Sequence, residues 1–321
     1  MTRLRYCTFI AALQLMTCGR SPGRDTGADA CPNRDPGLAA DATTHLIKTI
    51  FVIVMENEDW SSVKGSSSAP YINRVLLPRF AHAENYRNGN LHPSLGSYIT
   101  LEAGNKLGIT FDAPPAQVHL NVPCHLASYI AATGLTWKAY EEGTRADSCP
   151  IADAYPYAVR HDPFVYFEDV SGGPPDAQAP VCRQHVRPYS ELSRDLQAGR
   201  VASYNFITPD LCNSGHDRCA PLNDPVAQSD AWLARELPGI MASRAFQAGG
   251  AIFITWDEAE SGDHPIGLIV VSPLAKPGYA GTQPYSHAST LRTIEEVLGL
   301  TPLLRDAASA TSLSDLFAKY P

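Results

Sequence analysis

Hydrophobic positions along the chain fall into two alternating patterns. Ile50-Phe51-Val52-Ile53-Val54 is an unbroken, largely β-branched apolar run. A strand buried on both faces reads this way, whereas a half-exposed strand alternates apolar and polar residues. Similar runs follow at 203–207, 251–255 and 266–271. Between them, apolar residues recur at helical spacing over 71–80, 126–132, 189–196, 229–241 and 289–298. Strand and helix in alternation predict an α/β fold, a three-layer α/β/α sandwich with a mostly parallel central sheet. Ligands in such sheets sit beyond the carboxyl ends of strands, and the polar clusters of this chain fall just after its predicted strands.

The first 44 residues follow neither pattern. Arg3 and Arg5 precede an apolar run over 6–16, too short to span a bilayer and typical of a signal peptide. Leu15-Met16-Thr17-Cys18 is similar to a bacterial lipobox, which would leave Cys18 lipidated at the mature N-terminus; cleavage without a lipid is the alternative. Both readings imply an exported protein: secreted, periplasmic or lipid-anchored. Residues 19–44 are rich in Gly, Pro, Asp and Ala and read as a disordered linker, leaving 45–321 as one domain. The formal net charge of −8 excludes a general nucleic-acid binder, because a phosphate backbone demands clustered Lys and Arg. Membrane contact is expected only through Cys18.

Beyond the leader stand Cys31, Cys124, Cys149, Cys182, Cys212 and Cys219. An even number in an exported chain predicts disulfides, although six cysteines allow fifteen pairings. Cys212–Cys219 and Cys124–Cys149 are the two pairings expected here. No CxxC pair supports a zinc-thiolate site.

Several polar clusters could carry chemistry. Glu56-Asn57 follows the first strand and Asp257-Glu258 follows 251–255. Carboxylate and amide oxygens at strand ends suit a hard divalent cation, and two adjacent carboxylates repel unless a cation sits beside them. Pro93 fits the first turn of a helix, which places Ser94 among free N–H groups that favour an anion. The plainer reading makes Ser94 an N-cap. His161 and His216 lie in polar loops suited to binding phosphate or protonating a leaving group, although most histidines are structural.

Taken in order, these motifs resemble the bacterial phosphoesterase family of acid phosphatases and phospholipases C, within the alkaline phosphatase-like superfamily. The resemblance rests on Val-Met-Glu-Asn at 54–57, Ala-Pro-Tyr-Ile-Asn at 69–73, His-Pro-Ser at 92–94 and His-Asp-Pro-Phe at 161–164. It continues through Leu-Cys-Asn at 211–213, His-Asp at 216–217, Trp-Asp-Glu at 256–258 and Ser-His-Ala-Ser-Thr-Leu-Arg-Thr-Ile-Glu at 286–295. It implies an alkaline phosphatase-like fold and one divalent cation (Mg, Ca or Mn) on Glu56, Asn57, Asp257 and Glu258. Ser94 would be the nucleophile beside that cation, with His216 and His161 at the phosphoryl group. His92, Ser97 and Asn90 would bind substrate. Here the chain departs from the family: Gly96-Ser97-Tyr98 stands where Pro-Asn-Tyr is usual, so Ser97 or Asn90 must take over from an asparagine.

The function these readings imply is phosphomonoester hydrolysis through a phosphoseryl intermediate. The substrate would be small and phosphorylated, a phosphoinositide or phospholipid headgroup among the options. A phospholipase C-type phosphodiesterase is the alternative within enzymes. An inactive, lipid-tethered protein that binds phosphorylated ligands is the alternative outside them.

Overall fold

The run after Lys48 forms strand β1 (Thr49–Met55), and from Ile50 onward every residue is buried. The computed structural model describes residue 31, residues 45–122 and residues 124–320. The leader, Cys18 and the 19–44 segment other than Cys31 lie outside the described residues. The remaining strands are β2 (Ala81–Ala83), β3 (Tyr86–Arg87), β4 (Trp137–Glu141), β5 (Val186–Pro188) and β6 (Tyr204–Thr208). They are followed by β7 (Gly250–Trp256), β8 (Leu268–Val271), β9 (Ala280–Gly281) and β10 (Tyr285–Ser286).

Eight strands form one sheet in the order β5-β4-β6-β1-β7-β8-β2-β9, and β10 pairs separately with β3. β8 alone runs against its neighbours in the large sheet. The sheet is thus mostly parallel, with helices on both sides, as the hydrophobic pattern predicts. The short return from β7 explains the exception, because a parallel neighbour needs a crossover of a dozen or more residues. The predicted run from 266 pairs only from Leu268, since Gly267 has a positive φ of 74°. A Cβ on Gly267 would lie 2.3 Å from the Trp60 ring, so glycine is required there.

β4 and β5 carry no unbroken apolar run, and pairing with β6 rather than composition makes β4 a strand. The helices lie close to expectation at Leu126–Ala132, Pro225–Ala242 and His287–Leu298. The first helical stretch is a π-helical turn, Ile72–Leu76, leading into Leu77–Arg79. Pro225 opens its helix at the first turn, where its missing N–H costs nothing, and the Asp224 side chain caps it by accepting from Ala227 N.

Among the described residues, three disulfides join Cys31–Cys124, Cys149–Cys182 and Cys212–Cys219. The last is the pairing expected from sequence. The expected Cys124–Cys149 bridge is incorrect: each of these cysteines meets a partner brought near by packing rather than by sequence. Cys31 lies within the 19–44 segment and is tied directly to the domain.

The helix Ser94–Ala103 crosses from the site into the core and ends at Gly104, whose φ of 85° forms a left-handed cap. On this helix Glu102 is fully buried and accepts a hydrogen bond from Tyr204 OH. Burial pushes its carboxyl up to about 8. An unfolded carboxyl titrates near 4.5, so the folded state alone keeps this proton between those values. Stability therefore falls as pH rises through that window. Glu102→Gln keeps an acceptor for Tyr204 without the charge. It should be more stable than the parent by up to about 4 kcal/mol near pH 8, and nearly equal near pH 4.5. Thermal unfolding at the two pH values checks this.

Candidate active site

Parallel neighbours place their carboxyl ends side by side, so residues distant in sequence converge there. Glu56 follows β1, Asp257 and Glu258 follow the adjacent β7, and all three are buried. Two hydrogen bonds lock the corner: Asp257 N donates to Met55 O at 2.9 Å, and Asn57 N donates to the Asp257 side chain at Oδ1 at 3.1 Å. Asn57 takes a left-handed φ of 52°, a conformation asparagine tolerates well. It thereby turns the chain so that Glu56 faces inward.

Ser94 is the first residue of its helix, and Pro93 before it is the N-cap, with no side-chain cap bond. The Ser94 hydroxyl is therefore not spent on capping. It donates toward Glu56 Oε2 at 3.5 Å. The N–H groups of this helix end are partly taken by the protein: Leu95 N donates to Asp112 Oδ1 at 3.0 Å and Gly96 N to Pro93 O at 3.3 Å. One turn further, Tyr98 OH donates to Glu56 Oε1, and the Tyr98 ring stacks on His161 at 5.2 Å.

His161 ends a short 3₁₀ turn, Val159–His161, that packs against the Ser94 helix. Asp162 holds this turn by accepting from Phe164 N and Tyr157 OH, each at 3.2 Å. His161 Nε2 lies 3.4 Å from Glu56 Oε1 and has no hydrogen-bond partner among the described residues. Burial, and then the Arg160 charge, push His161 well below the usual histidine range, which keeps it neutral. His216 belongs to the loop closed by Cys212–Cys219, and Gln228 staples that loop by donating to Cys212 O and Asp217 O at 2.6 and 2.8 Å. Asp217 Oδ1 lies 2.8 Å from His216 Nδ1, and Arg160 Nη2 lies 3.0 Å from its Nε2. An arginine can only donate, so Nε2 holds the lone pair and Nδ1 carries the hydrogen.

Glu56, His161 and His216 each offer an atom within 4.8 Å of the others. The carboxylates show the strain of like charges packed together. Burial raises Glu56 well above the usual carboxylate range, and Asp257 adds to this. Burial pushes Asp257 up to about 6, against hydrogen bonds from Ser94 and Asn57 that pull it down. Burial, then the Asp257 charge, push Glu258 to about 7. Asp257 Oδ2 is buried with no partner among the described residues. Unpaired oxygens, crowded carboxylates and the neutral His161 ring are what a divalent cation would satisfy, and the residues fit one.

The other sequence-derived residues sit further out. His92 Nδ1 lies 3.0 Å from Glu258 Oε2 and its Nε2 meets Gly262 O at 2.9 Å, so it braces Glu258 at the rim. Ser97 is fully buried one turn behind Ser94, and its hydroxyl has no partner among the described residues. Asn90 is exposed in a loop at a φ of 58° and stands apart from the cluster.

Four contributors were left without a role by sequence reasoning: Tyr98, Arg160, Asp112 and His287. Tyr98 was open to detection, being four residues from Ser94 on one helix face. Asp112 and Arg160 reach the site from separate loops and carry no such signal. Buried His287 supports β7's end through Nε2 to Asp257 O at 2.7 Å.

Residues 69–301 match the phosphoesterase family. The chain belongs to that family. This phosphoesterase is 28% identical over 282 residues to the phosphatidylinositol-3-phosphatase of Mycobacterium tuberculosis, covering 88% of this chain and 86% of that one. It is 21% identical to a probable acid phosphatase of Kluyveromyces lactis, covering 86% of this chain and 64% of the yeast protein. Among solved structures it is similar to an alkaline phosphatase superfamily protein from Vibrio parahaemolyticus, with a TM-score of 0.54 at 10% identity over 84% of this chain and 72% of that one. It is also similar to the phosphonate monoester hydrolase of Agrobacterium radiobacter, with a TM-score of 0.53 at 13% identity over 84% and 77%. The fold is that of the alkaline phosphatase superfamily, and the phosphoesterase is a phosphoric ester hydrolase. Its three disulfides accord with an oxidising compartment outside the cytoplasm. Among the described residues no helix is long and apolar enough to cross a membrane.

Proposed function

We propose that this phosphoesterase is an exported, metal-assisted phosphomonoesterase that attacks phosphorus with Ser94. One observation carries the reading: the Ser94 hydroxyl is free of capping and turned to the buried carboxylates of Glu56 and Asp257. A serine with no capping task, beside a costly cluster of acids, supports that reading.

A divalent cation held by Glu56, Asn57, Asp257 and Glu258 beside Ser94 would lower the hydroxyl's pKa and neutralise charge on the phosphoryl oxygens. The chain's own residues do the rest. Tyr98 fixes Glu56 through its other carboxylate oxygen, and Asn57 N fixes Asp257, so the serine meets held acceptors. Ser94 Oγ forms a bond to phosphorus as the ester P–O bond breaks. The Ser94 proton passes to the Glu56 carboxylate that the hydroxyl faces, and the leaving oxygen takes a proton from solvent on the side of the pocket where Asp217 orients His216. Water then attacks the phosphoserine from the vacated side, releasing phosphate and restoring the hydroxyl.

The names of its relatives, a phosphatidylinositol-3-phosphatase and acid phosphatases, support a monoester and make a phosphoinositide headgroup a reasonable substrate. Comparing a chromogenic phosphomonoester with its choline diester tests this. The expected result is at least about a tenfold preference for the monoester in kcat/KM, about 1.4 kcal/mol in the transition state. A preference for the diester would overturn the monoesterase reading in favour of a phospholipase C-type enzyme.

A further inference from the structure

Arg160 has no part in the mechanism above, yet its side chain reaches the centre of the site. It projects from the Val159–His161 turn and is only 22% exposed. Nη2 lies 3.0 Å from His216 Nε2, and Nε lies 3.4 Å from Asp112 Oδ2. Asp112 in turn holds Leu95 N, the residue next to Ser94. The guanidinium therefore stands two contacts from the nucleophile's helix, and its charge is felt at both Glu56 and His161.

Neither contact uses the group fully. A guanidinium offers five N–H donors in a planar fork suited to paired oxygens. Here one donor meets a ring nitrogen and another meets a single carboxylate oxygen at long range. The incoming phosphoryl group, by contrast, lacks donors. Asp112 and Pro93 O already take two first-turn N–H groups of the Ser94 helix, and Ser97 is a short side chain buried behind it. The pocket is otherwise lined by Glu56, Asp257 and Glu258, with Asp112 and Asp217 beside them, so a dianion requires positive charge beyond one cation.

We infer that Arg160 is a substrate-binding residue whose guanidinium turns from His216 Nε2 to grip two non-bridging oxygens of the phosphoryl group. This rests on the phosphatase reading and adds to it a source of specificity. A monoester offers three non-bridging oxygens, enough for both cation and fork. A diester offers two, so it gains less from the fork. The movement also opens the lone pair on His216 Nε2 to the pocket.

The test is Arg160→Ala in purified, cation-loaded protein, with inorganic phosphate as a competitive inhibitor. The inference expects kcat/KM for an aryl phosphomonoester to fall about 100-fold. It also expects the phosphate inhibition constant to rise about tenfold or more, with a smaller loss on the choline diester and an unchanged melting temperature. Arg160→Gln, which can still donate to Asp112, should show the same losses and serves if the alanine variant does not fold. Wild-type phosphate inhibition in a folded Arg160 variant overturns the inference, whatever happens to turnover. Equal losses on monoester and diester would overturn the specificity claim. A wild-type enzyme that releases no phosphate would instead sink the phosphatase reading, so the two failures are separable.

Discussion

Replacing Ser94 with alanine is expected to lower phosphate release by about 10⁴-fold or more, because the variant lacks the hydroxyl proposed to form the bond to phosphorus. The same change should leave the fold intact. The hydroxyl caps nothing, and its contact with Glu56 at 3.5 Å is long, so the stability cost should stay below about 1 kcal/mol. A large rate loss without a stability loss separates a nucleophile from a structural serine. Acid-quenching the wild-type enzyme during turnover should leave phosphate on the peptide containing Ser94, and none should appear in Ser94→Ala. Near-normal turnover by the folded variant would end the serine mechanism.

Chelation should be nearly as severe, and its pH dependence carries a sign. Glu56, Asp257 and Glu258 are all raised above their ordinary values, Asp257 to about 6 and Glu258 to about 7. Without a cation the folded protein holds protons that the unfolded chain has released. Its stability then falls as pH climbs from the ordinary carboxylate range toward 7. A bound cation displaces those protons and removes the penalty. The gain in melting temperature from saturating Mg, Ca or Mn should therefore be larger near neutral pH than near pH 5. A cation at a hundred times its dissociation constant adds about 2.7 kcal/mol. EDTA should abolish phosphate release and one of these ions should restore it. Full activity in protein shown to be metal-free would remove the cation from the mechanism.

Much of the site was legible because it sits at strand ends. The runs at 50–54 and 251–255 announce buried strands, and acids placed immediately after them can only lie at a carboxyl edge. Glu56, Asp257 and Glu258 are therefore recognisable from the hydrophobic pattern alone. That pattern does not show that β1 and β7 are neighbours, because 194 residues separate Met55 and Gly250 as strands and only the sheet order brings them together. Ser94 was legible as a residue in a first turn, but whether its hydroxyl caps the helix or faces the acids is a choice of rotamer made by Glu56. Asn90 and Ser97 show the opposite limit. The family resemblance put both at the substrate in place of an asparagine, and the structure has Asn90 exposed and Ser97 buried.

The sequence alone determined the fold class, the strands richest in β-branched residues, the long helices and the local Cys212–Cys219 bridge, because each depends on neighbours a few residues away. Only tertiary structure decided the other two disulfides, the reversed β8, the strand character of β4 and the union of Arg160, Asp112 and Leu95 around the nucleophile. These depend on which distant segments share space. Chain connectivity leaves that open until the buried apolar surface of the sheet and helices is packed, and the polar groups near the site then take the partners that packing leaves them.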